Sequence, residues 1–183
     1  STRPGALPVS LDEELRRVIP VIEALSRVTT VPLSIDTYKP EVMRAAIAAG
    51  ADMVNDICAL REPGALEVVA DSHVGVCLMH MQGVPQTMQL DPSYNDVVVE
   101  VKQFLADRVA ACHAHGIVSE RIMLDPGFGF GKTTAHNIAL IQQLDRFTEF
   151  GLPLLVGLSR KSVLGKIAGG DAQQRLHAGL AAS

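Results

Sequence analysis

Five short apolar runs in this chain each end abruptly in a polar or charged residue. Each run is typical of a buried β-strand, and a helical pattern follows it, either directly or after a Gly-rich loop. In parallel α/β proteins, ligands and reacting groups collect at the carboxyl ends of the strands. A row of carboxylate, amide and ammonium groups at strand ends therefore predicts an active site. The residues at these ends are Asp36, Asn55 with Asp56, His80, Asp125, and Ser159-Arg160-Lys161.

Two of these residues, Asp36 and Asp125, are carboxylates in apolar surroundings, where an unpaired charge is costly. One interpretation is that such a carboxylate accepts two parallel N–H bonds from the guanidine-like edge of a heterocycle, as it does from Arg. Asn55 carries both a donor and an acceptor, which suits a ring that mixes N–H and C=O groups. The alternative is a structural ion pair with Arg160 or Lys161.

The segment 125–132 reads Asp-Pro-Gly-Phe-Gly-Phe-Gly-Lys and is the most specific in the chain. Glycines at alternate positions let a backbone approach a ligand closely, and the phenylalanines between them offer flat apolar surface for a planar ring. The spacing is neither that of a P-loop nor that of a dinucleotide fingerprint. The alternative is a tight strand-to-helix turn whose Phe side chains simply pack.

Two cationic segments could bind an anion. Ser159-Arg160-Lys161-Ser162 opens a predicted helix, where cations oppose the helix dipole, so helix stability does not explain them. Together with the helix N–H groups they would make an anion or carbonyl site. Thr2-Arg3 begins a loop with one more cation. Taken alone, each segment fits a solvated charged turn as well.

The histidines and Asp56 are assigned structural roles. His80 at a strand end is interpreted as a hydrogen-bonding structural residue rather than a general base. His113 and His115 do not share a helix face, so a metal site there is not expected. Asp56 follows Asn55 in a strand and therefore points to the opposite side of the sheet.

The composition fits one globular domain, predicted to span residues 1–183, with 48% hydrophobic residues for a core. A net charge of −4 argues against a nucleic-acid partner. The apolar runs are shorter than the roughly 18 residues of a membrane helix. Cys58, Cys77 and Cys112 have neither metal nor disulfide spacing, and Cys77 is predicted to be a small buried hydrophobe. We expect reduced thiols in a cytoplasmic protein without a signal peptide.

Alternating strands and helices predict an α/β fold with a parallel sheet and right-handed crossovers. Either an open doubly wound sheet or a (β/α)8 barrel would satisfy the pattern, although a barrel usually has about 250 residues. About five strands are predicted, and the alternation of strands and helices is incomplete at both ends, which favours an incomplete (β/α)8 TIM barrel. The predicted strands are 31–36, 53–57, 74–80, 121–125 and 152–158. The predicted helices are 10–27, with a kink or weakened turn at Pro20, then 40–50, 63–72, 93–115 and 135–150.

Six motifs, in one order along the whole chain, resemble the bacterial dihydropteroate synthase family. The resemblance implies a (β/α)8 barrel and a transferase of folate biosynthesis. Its members condense 6-hydroxymethyl-7,8-dihydropterin pyrophosphate with 4-aminobenzoate to give 7,8-dihydropteroate and pyrophosphate. Sulfonamides compete at the aminobenzoate site. The motifs are Ser1-Thr2-Arg3-Pro4-Gly5, Ile35-Asp36-Thr37, Val54-Asn55-Asp56-Ile57, Leu78-Met79-His80-Met81, 125–132 and Ser159-Arg160-Lys161-Ser162.

The resemblance also implies roles for individual residues. Those implied for the pterin pocket are Asp36, Asn55, Met79, Asp125 and Lys161. Those implied for the 4-aminobenzoate site are Thr2, Phe130 and Ser159. Arg3 and Arg160 would bind the anionic leaving group, and Lys161 and Arg3 would be the catalytic residues.

Two parts of the family pattern are absent from this sequence. One is a first strand and loop with an Asn that takes part in Mg²⁺ and pyrophosphate binding, and the other is a last strand with an Arg-x-His element. The cofactor implied is therefore Mg²⁺, with no metal ligand in this chain. We expect the 183-residue chain alone to be inactive and aggregation-prone, since it would expose edge strands and apolar surface. The complete protein is expected to be a homodimer.

Two other functions remain open on the sequence alone. A methyltetrahydrofolate–corrinoid methyltransferase shares the pterin-binding barrel, but it would have the Asp and Asn set without the 125–132 loop and the Ser-Arg-Lys turn. A non-catalytic remnant that binds pterin or a partner barrel subunit would also fit. Binding of dihydropterin without product formation would favour the remnant.

Overall fold

The structure, a computed structural model, describes residues 7–158 of the chain. Within this range helices and strands alternate, and two short 3₁₀ segments, Ser119–Arg121 and Leu144–Phe150, join them. The strands are β1 (Ser34–Asp36), β2 (Met53–Asp56), β3 (Gly75–Met79) and β4 (Ile122–Asp125). The helices are α1 (Leu11–Ser26), α2 (Pro40–Ala49), α3 (Ala65–Ala70), α4 (Val97–Ala114) and α5 (Thr134–Gln142).

Local sequence signals set the helix ends. Ser10 is the N-cap of α1 and its side chain accepts a hydrogen bond from the backbone N–H of Glu13. The helix continues through Pro20 without a break. Pro40 opens α2, and Gly50 ends it in the left-handed conformation at φ 108°. Among the described residues, no helix is both long and apolar enough to cross a membrane.

The four strands form one parallel sheet in the order β1-β2-β3-β4. Each strand pairs with the one before it in the chain, so the order never reverses as it does in a doubly wound sheet. Right-handed crossovers in this sequential order place the connecting helices on one side of the sheet. This arrangement is the one that a (β/α)8 barrel requires.

Two predicted elements differ in kind from those observed, and β1, α3 and α4 are shorter than predicted. Where the sequence predicts a strand at 152–158, the chain makes an isolated parallel bridge from Leu154 to Leu124. Backbone bonds from Leu124 N to the Pro153 carbonyl and from Leu155 N to the Leu124 carbonyl still hold it beside β4. The predicted helix 135–150 ends at Gln142, because Gln143 leaves the helical region at φ −122° and a 3₁₀ segment follows.

The two sides of the sheet differ in chemistry. Ile35, Val54, Leu78 and Leu124 point to the helix-facing side and belong to the main apolar core. Because side chains alternate along a strand, their neighbours point to the other side, which we call the interior side. A smaller apolar cluster lies at the carboxyl ends of the strands. It consists of Ile57, Met79, Met81 and Met88, with Tyr38, Cys58 and Phe130 packed against them, and we call it the methionine cluster.

Candidate functional site

The strand register brings four of the five residues predicted for the pterin pocket, all but Lys161, to the interior side. Asp36 pairs with Asn55, and Asn55 pairs with Cys77, so the three side chains share one level of the sheet. Two residues further along, Met79 pairs with Asp125. Burial raises the pKa of the Cys77 thiol, and the nearby Asp125 and Asp36 carboxylates raise it further. In the sheet, Cys77 on β3 lies between β1, which carries Asp36, and β4, which carries Asp125.

The side chain of Asn55 carries an unsatisfied polar atom. Its Oδ1 is buried, and no residue described by the structure donates a hydrogen bond to it. Leaving a buried acceptor unpaired costs about 1–3 kcal/mol, and such groups in native structures are uncommon. An acceptor held in this way on the interior side is suited to a ligand that brings its own N–H donor.

The carboxylate of Asp36 lies at the end of β1, where part of its side chain reaches solvent. Surrounding protein nevertheless removes much of its water, and this burial raises its pKa, with the charge of Glu14 adding to the effect. A hydrogen bond from an N–H donor stabilises the charged form of such a partly desolvated carboxylate. Asp36 is thus a second acceptor on the same level as Asn55.

The buried carboxylate of Asp125 is oriented by the turn that follows it. Its Oδ1 accepts a hydrogen bond of 2.7 Å from the backbone N–H of Gly127. Its backbone carbonyl accepts one of 3.0 Å from the N–H of His80, which continues the β3–β4 pairing by one more residue. These two bonds fix Asp125 at the carboxyl end of β4, beside Met79.

Glycine is required where the loop 126–132 crosses the ends of the strands. Gly127 has φ 70°, and a Cβ added there would lie 1.9 Å from the carbonyl oxygen of His80. Gly131 has φ 61°, and a Cβ there would lie 2.4 Å from the carbonyl oxygen of Gln82. These contacts are backbone against backbone, so no side chain can move aside. The alternate glycines serve close packing of this loop on the end of β3 and on the loop after it.

The methionine cluster gives the site an apolar wall. Phe130 packs against it from the Gly-rich loop, and Met79 belongs to it, so two predicted site residues lie in one apolar group. Its other members, Met81, Met88 and Ile57, were not predicted as site residues from the sequence. Period-two alternation could have found two of them, since Ile57 follows Asn55 and Met81 follows Met79 by two residues. Met88 lies in a loop, where no periodicity marks it.

Asp56 points to the helix-facing side, as predicted, and is fully buried. Its carboxylate accepts hydrogen bonds of 2.7 Å from the N–H groups of Cys58 and Leu60. Burial raises its pKa to about 6, although these two bonds act in the opposite direction. The loop it holds is strained, with Ala59 and Leu60 at φ 52° and 56°. Arg108 donates to the carbonyls of both strained residues, so Asp56 stabilises the loop rather than binding a ligand.

A cavity of about 640 Å³ opens at the ends of β1 and β2 and reaches Asp36. This volume is in the range of small-molecule sites, roughly 300–1,000 Å³. Its lining combines charged side chains with apolar ones, among them Ile57 and Met81 of the methionine cluster. The charged residues of the lining are Glu14, Arg17, Asp36, Lys39, Arg61 and Glu62.

Half of the predicted site residues lie outside residues 7–158, where the structure gives no account of them. These are Thr2, Arg3, Ser159, Arg160 and Lys161. Within the described range, no group of three or more His, Cys, Asp or Glu side chains is arranged to hold a metal ion. His80 is a buried hydrogen-bonding residue on the helix-facing side, consistent with the structural role predicted for it.

Comparison with known proteins points to one family. The family described as "pterin binding enzyme" matches residues 1–183, the whole chain. The dihydropteroate synthase of Escherichia coli K12 is 51% identical over 181 residues, which cover 99% of this chain and 64% of the relative. The chain thus spans slightly less than two thirds of the length of this relative.

Solved structures give the same result at the level of the fold. The chain matches the dihydropteroate synthase of Yersinia pestis, in complex with a sulfonamide drug, with a TM-score of 0.96 and 48% identity over 100% of this chain and 66% of that one. It matches the Xanthomonas albilineans enzyme in complex with 7,8-dihydropteroate with a TM-score of 0.88 and 53% identity over 95% and 66%. The four strands are therefore consecutive strands of a partial TIM barrel. With its whole length matched and its strand-end polar groups in place, this chain belongs to the pterin binding enzyme family.

Proposed function

We propose that the full-length protein carrying this chain is a dihydropteroate synthase. It would condense 6-hydroxymethyl-7,8-dihydropterin pyrophosphate with 4-aminobenzoate to give 7,8-dihydropteroate and pyrophosphate. The likeness to enzymes of that name at about half identity supports this assignment. The observation that carries it is the buried Asn55 Oδ1, which lacks a donor among the described residues and lies between Asp36 and Cys77 on the interior side.

The pterin edge supplies the donors that this arrangement lacks. A pterin presents an exocyclic amino group and an adjacent ring N–H in one plane. Asp125 and Asn55 would accept from those groups, and Asp36 would accept from the part of the ring system nearest β1. Met79 and the methionine cluster would pack against the flat faces of the ring. Lys161, by family resemblance, would contact the polar edge of the pterin.

The reaction needs charge stabilisation more than proton transfer. The C–O bond to pyrophosphate breaks first, and the positive charge left behind spreads into the pterin ring. Carboxylates fixed beside the ring stabilise that charge, because they need no reorientation as it develops. The amine of 4-aminobenzoate, a free base at neutral pH, then forms the new C–N bond and releases a proton to solvent. Asp36 and Asp125 thus act by their charge and position.

The aminobenzoate and leaving-group sites are proposed from the family resemblance. Phe130 would stack beside the aminobenzoate ring, with Thr2 and Ser159 completing that pocket. Arg3 and Arg160 would bind the pyrophosphate, and Arg3 and Lys161 would be catalytic. A sulfonamide would compete with 4-aminobenzoate. The position of Phe130 against the methionine cluster, next to Met79, supports placing this pocket beside the pterin.

Mg²⁺ is proposed as the cofactor, accompanying the pyrophosphate, whose charge it would partly neutralise. The described residues of this chain offer no cluster of ligands that fits the ion. The resemblance places its protein ligand in a part of the family fold that this sequence does not include. The steps derived above for Asp36, Asn55 and Asp125 therefore do not depend on the metal. We also propose, from the family resemblance, that the full-length protein is a homodimer. We propose a cytoplasmic location as well, with which the free cysteines of the described range agree.

The assignment is tested in a full-length protein, made by adding to this chain the flanking segments of the Escherichia coli relative. Product is measured by mass spectrometry after incubation with dihydropterin pyrophosphate, 4-aminobenzoate and Mg²⁺. Dihydropteroate should form, and the Lys161→Ala variant should lose at least ~100-fold in kcat/KM, about 2.7 kcal/mol. Lys102→Met is the control, since Lys102 pairs with Glu149 on the helical surface. Dihydropterin binding without product would instead indicate a methyltransferase-type barrel or a binding remnant.

A further inference from the structure

Lys132, at the end of the Gly-rich loop, is buried with 3% of its surface exposed. Its ammonium nitrogen lies 2.9 Å from His80 Nδ1 and 3.3 Å from the His80 carbonyl oxygen. It also lies 2.9 Å from the carbonyl oxygen of Gly127 and 3.1 Å from that of Phe130. A buried ammonium is costly unless its N–H groups are satisfied, so these four acceptors account for its presence there.

The ammonium joins two parts of the chain that are distant in sequence. His80 ends β3, whereas Gly127 and Phe130 belong to the loop after β4, and the backbones of His80 and Gly127 are already in close contact. Lys132 extends back over its own loop and bonds to both sides of this crossing. The Gly-rich loop is therefore attached to the end of β3 by a side chain as well as by backbone pairing.

The protonation state of His80 follows from its partner. An ammonium group can only donate, so Nδ1 of His80 must accept, and the ring proton is on Nε2. Burial lowers the pKa of His80 far below its ordinary value, and the charge of Lys132 lowers it further. The ring packs edge-on against Phe104 with a centroid distance of 4.9 Å, which fixes its plane. A neutral imidazole of fixed orientation is thus a permanent acceptor for Lys132.

Lys132 donates hydrogen bonds to the carbonyls of Gly127 and Phe130. These two residues also help to position Asp125 and the aromatic ring of Phe130 in the site. The N–H of Gly127 orients the Asp125 carboxylate, and the carbonyl of the same residue accepts from Lys132. The other carbonyl is that of Phe130, whose ring packs on the methionine cluster. We propose that Lys132 is a positioning residue, whose buried ammonium fixes the Gly-rich loop so that Asp125 and Phe130 hold their places at the mouth of the site.

Other bonds hold the rest of the loop. The hydroxyl of Tyr94 donates to the carbonyl of Gly131 at 2.8 Å, and the N–H of Gly129 donates to Asn137 Oδ1 at 2.8 Å. These neutral bonds attach the loop to the flanking segments at positions other than Gly127 and Phe130. A change at Lys132 should therefore loosen one part of the loop without releasing all of it.

The enzymatic arm of the test rests on the proposed function and uses the same full-length protein. In Lys132→Met the side chain keeps its length and loses its N–H donors. We expect a rise of at least ~10-fold in KM for 4-aminobenzoate, through Phe130, and ~10-fold weaker dihydropterin binding, through Asp125, each about 1.4 kcal/mol. Lys102→Met should change neither. Substrate constants in Lys132→Met within twofold of the parent protein would overturn the proposal.

Hydrogen exchange supplies an arm that does not need turnover. In Lys132→Met, exchange in peptides covering 125–133 should accelerate at least ~10-fold, while peptides from β1 and β2 keep their rates. Equal acceleration along the whole chain would show a merely global role and overturn the proposal. If Lys132→Met does not fold, Lys132→Gln, whose neutral and shorter side chain cannot reach all four acceptors, is judged by the same two criteria. If the parent protein makes no dihydropteroate, the proposed function fails, and the exchange pattern alone decides whether Lys132 fixes the loop.

Discussion

Asn55 and Asp56 are neighbours at the end of β2, yet they belong to regions with opposite properties. Asn55 lies on the interior side with a buried oxygen that no described residue satisfies, whereas Asp56 lies on the helix-facing side with two backbone N–H bonds. Lys132 and His80 are also buried polar residues, and their side chains are hydrogen-bonded to each other. The comparison teaches that burial alone does not identify a binding residue. At the end of β2, the unsatisfied oxygen of Asn55 indicates a ligand, and the satisfied carboxylate of Asp56 indicates support for a loop.

The largest effect is expected at Asp125 on the interior side. Asp125→Asn retains an oxygen for the Gly127 N–H but removes the charge that would face the pterin. A charge-assisted hydrogen bond is worth about 1.5–3 kcal/mol, and its loss together with the loss of charge stabilisation should lower kcat/KM by ~100-fold or more. Rates are measured with both substrates in the full-length protein. A loss of kcat/KM below threefold would show that Asp125 does not contribute to the site.

The matching change on the helix-facing side should affect stability instead. Asp56→Ala leaves the N–H groups of Cys58 and Leu60 without their acceptor beside a strained turn. We expect the free energy of unfolding to fall by about 2–4 kcal/mol, since each orphaned buried group costs about 1–3 kcal/mol. Urea unfolding of the full-length protein measures it. A variant as stable as the parent would show that the loop does not depend on Asp56.

The raised pKa of Asp56 gives this support a pH dependence with a defined sign. The folded-state pKa is about 6 against an ordinary value of 3.8, so between these values the folded protein holds a proton that the unfolded chain has lost. The contribution of this group to stability is present below pH 4 and decreases by about 3 kcal/mol as the pH rises through 6.

The control for this pH dependence is Asp56→Asn, which cannot titrate at that position. The difference in unfolding free energy between parent and variant, measured from pH 4 to pH 7, isolates the carboxyl from all other groups. The parent should lose stability relative to the variant as the pH rises. A difference that stays constant would mean that the pKa of Asp56 is not raised.

The smallest effect is expected at Asn55, where a substitution should increase the stability of the fold and decrease the affinity for dihydropterin. Asn55→Leu replaces the unpaired oxygen with an apolar side chain, which should raise the unfolding free energy by about 1 kcal/mol. The same change should weaken dihydropterin binding by at least ~10-fold, about 1.4 kcal/mol, because a ring N–H loses its acceptor. Denaturation and calorimetry test the two parts. A variant that binds dihydropterin normally would show that Asn55 is not a binding residue.

The sequence predicted the parts of this molecule that depend on short-range periodicity. The opposite directions of Asn55 and Asp56 follow from the two-residue repeat of a strand, and the end of α2 follows from the freedom of Gly50 at positive φ. The prediction of a strand at 152–158 was wrong, because this segment forms only an isolated bridge at Leu154. Pairing there depends on the neighbouring strand, which local pattern does not reveal.

The supporting contacts of the site could not be predicted, because they join residues that no local rule connects. Lys132 reaches His80 across 52 positions in the chain, and Arg108 reaches the strained Ala59 across 49. The sequence marked Lys132 only as the end of a motif and gave no sign that it turns inward. Such contacts become visible only when the sheet has brought the ends of β3 and β4 together.

The sequential strand order also has a consequence for how the chain acquires its structure. Ser34 pairs with Met53 and Met53 pairs with Gly75, so the first two pairings close short loops. Val76 pairs with Ile122, so the third must wait until a long helix and its preceding loop have been made. Because loop closure becomes more costly with length, β1 to β3 should assemble early during synthesis and β4 should dock afterwards. The Gly-rich loop would then be the last described part of the site to form, and the rate of its docking would limit when a nascent chain can first bind a pterin.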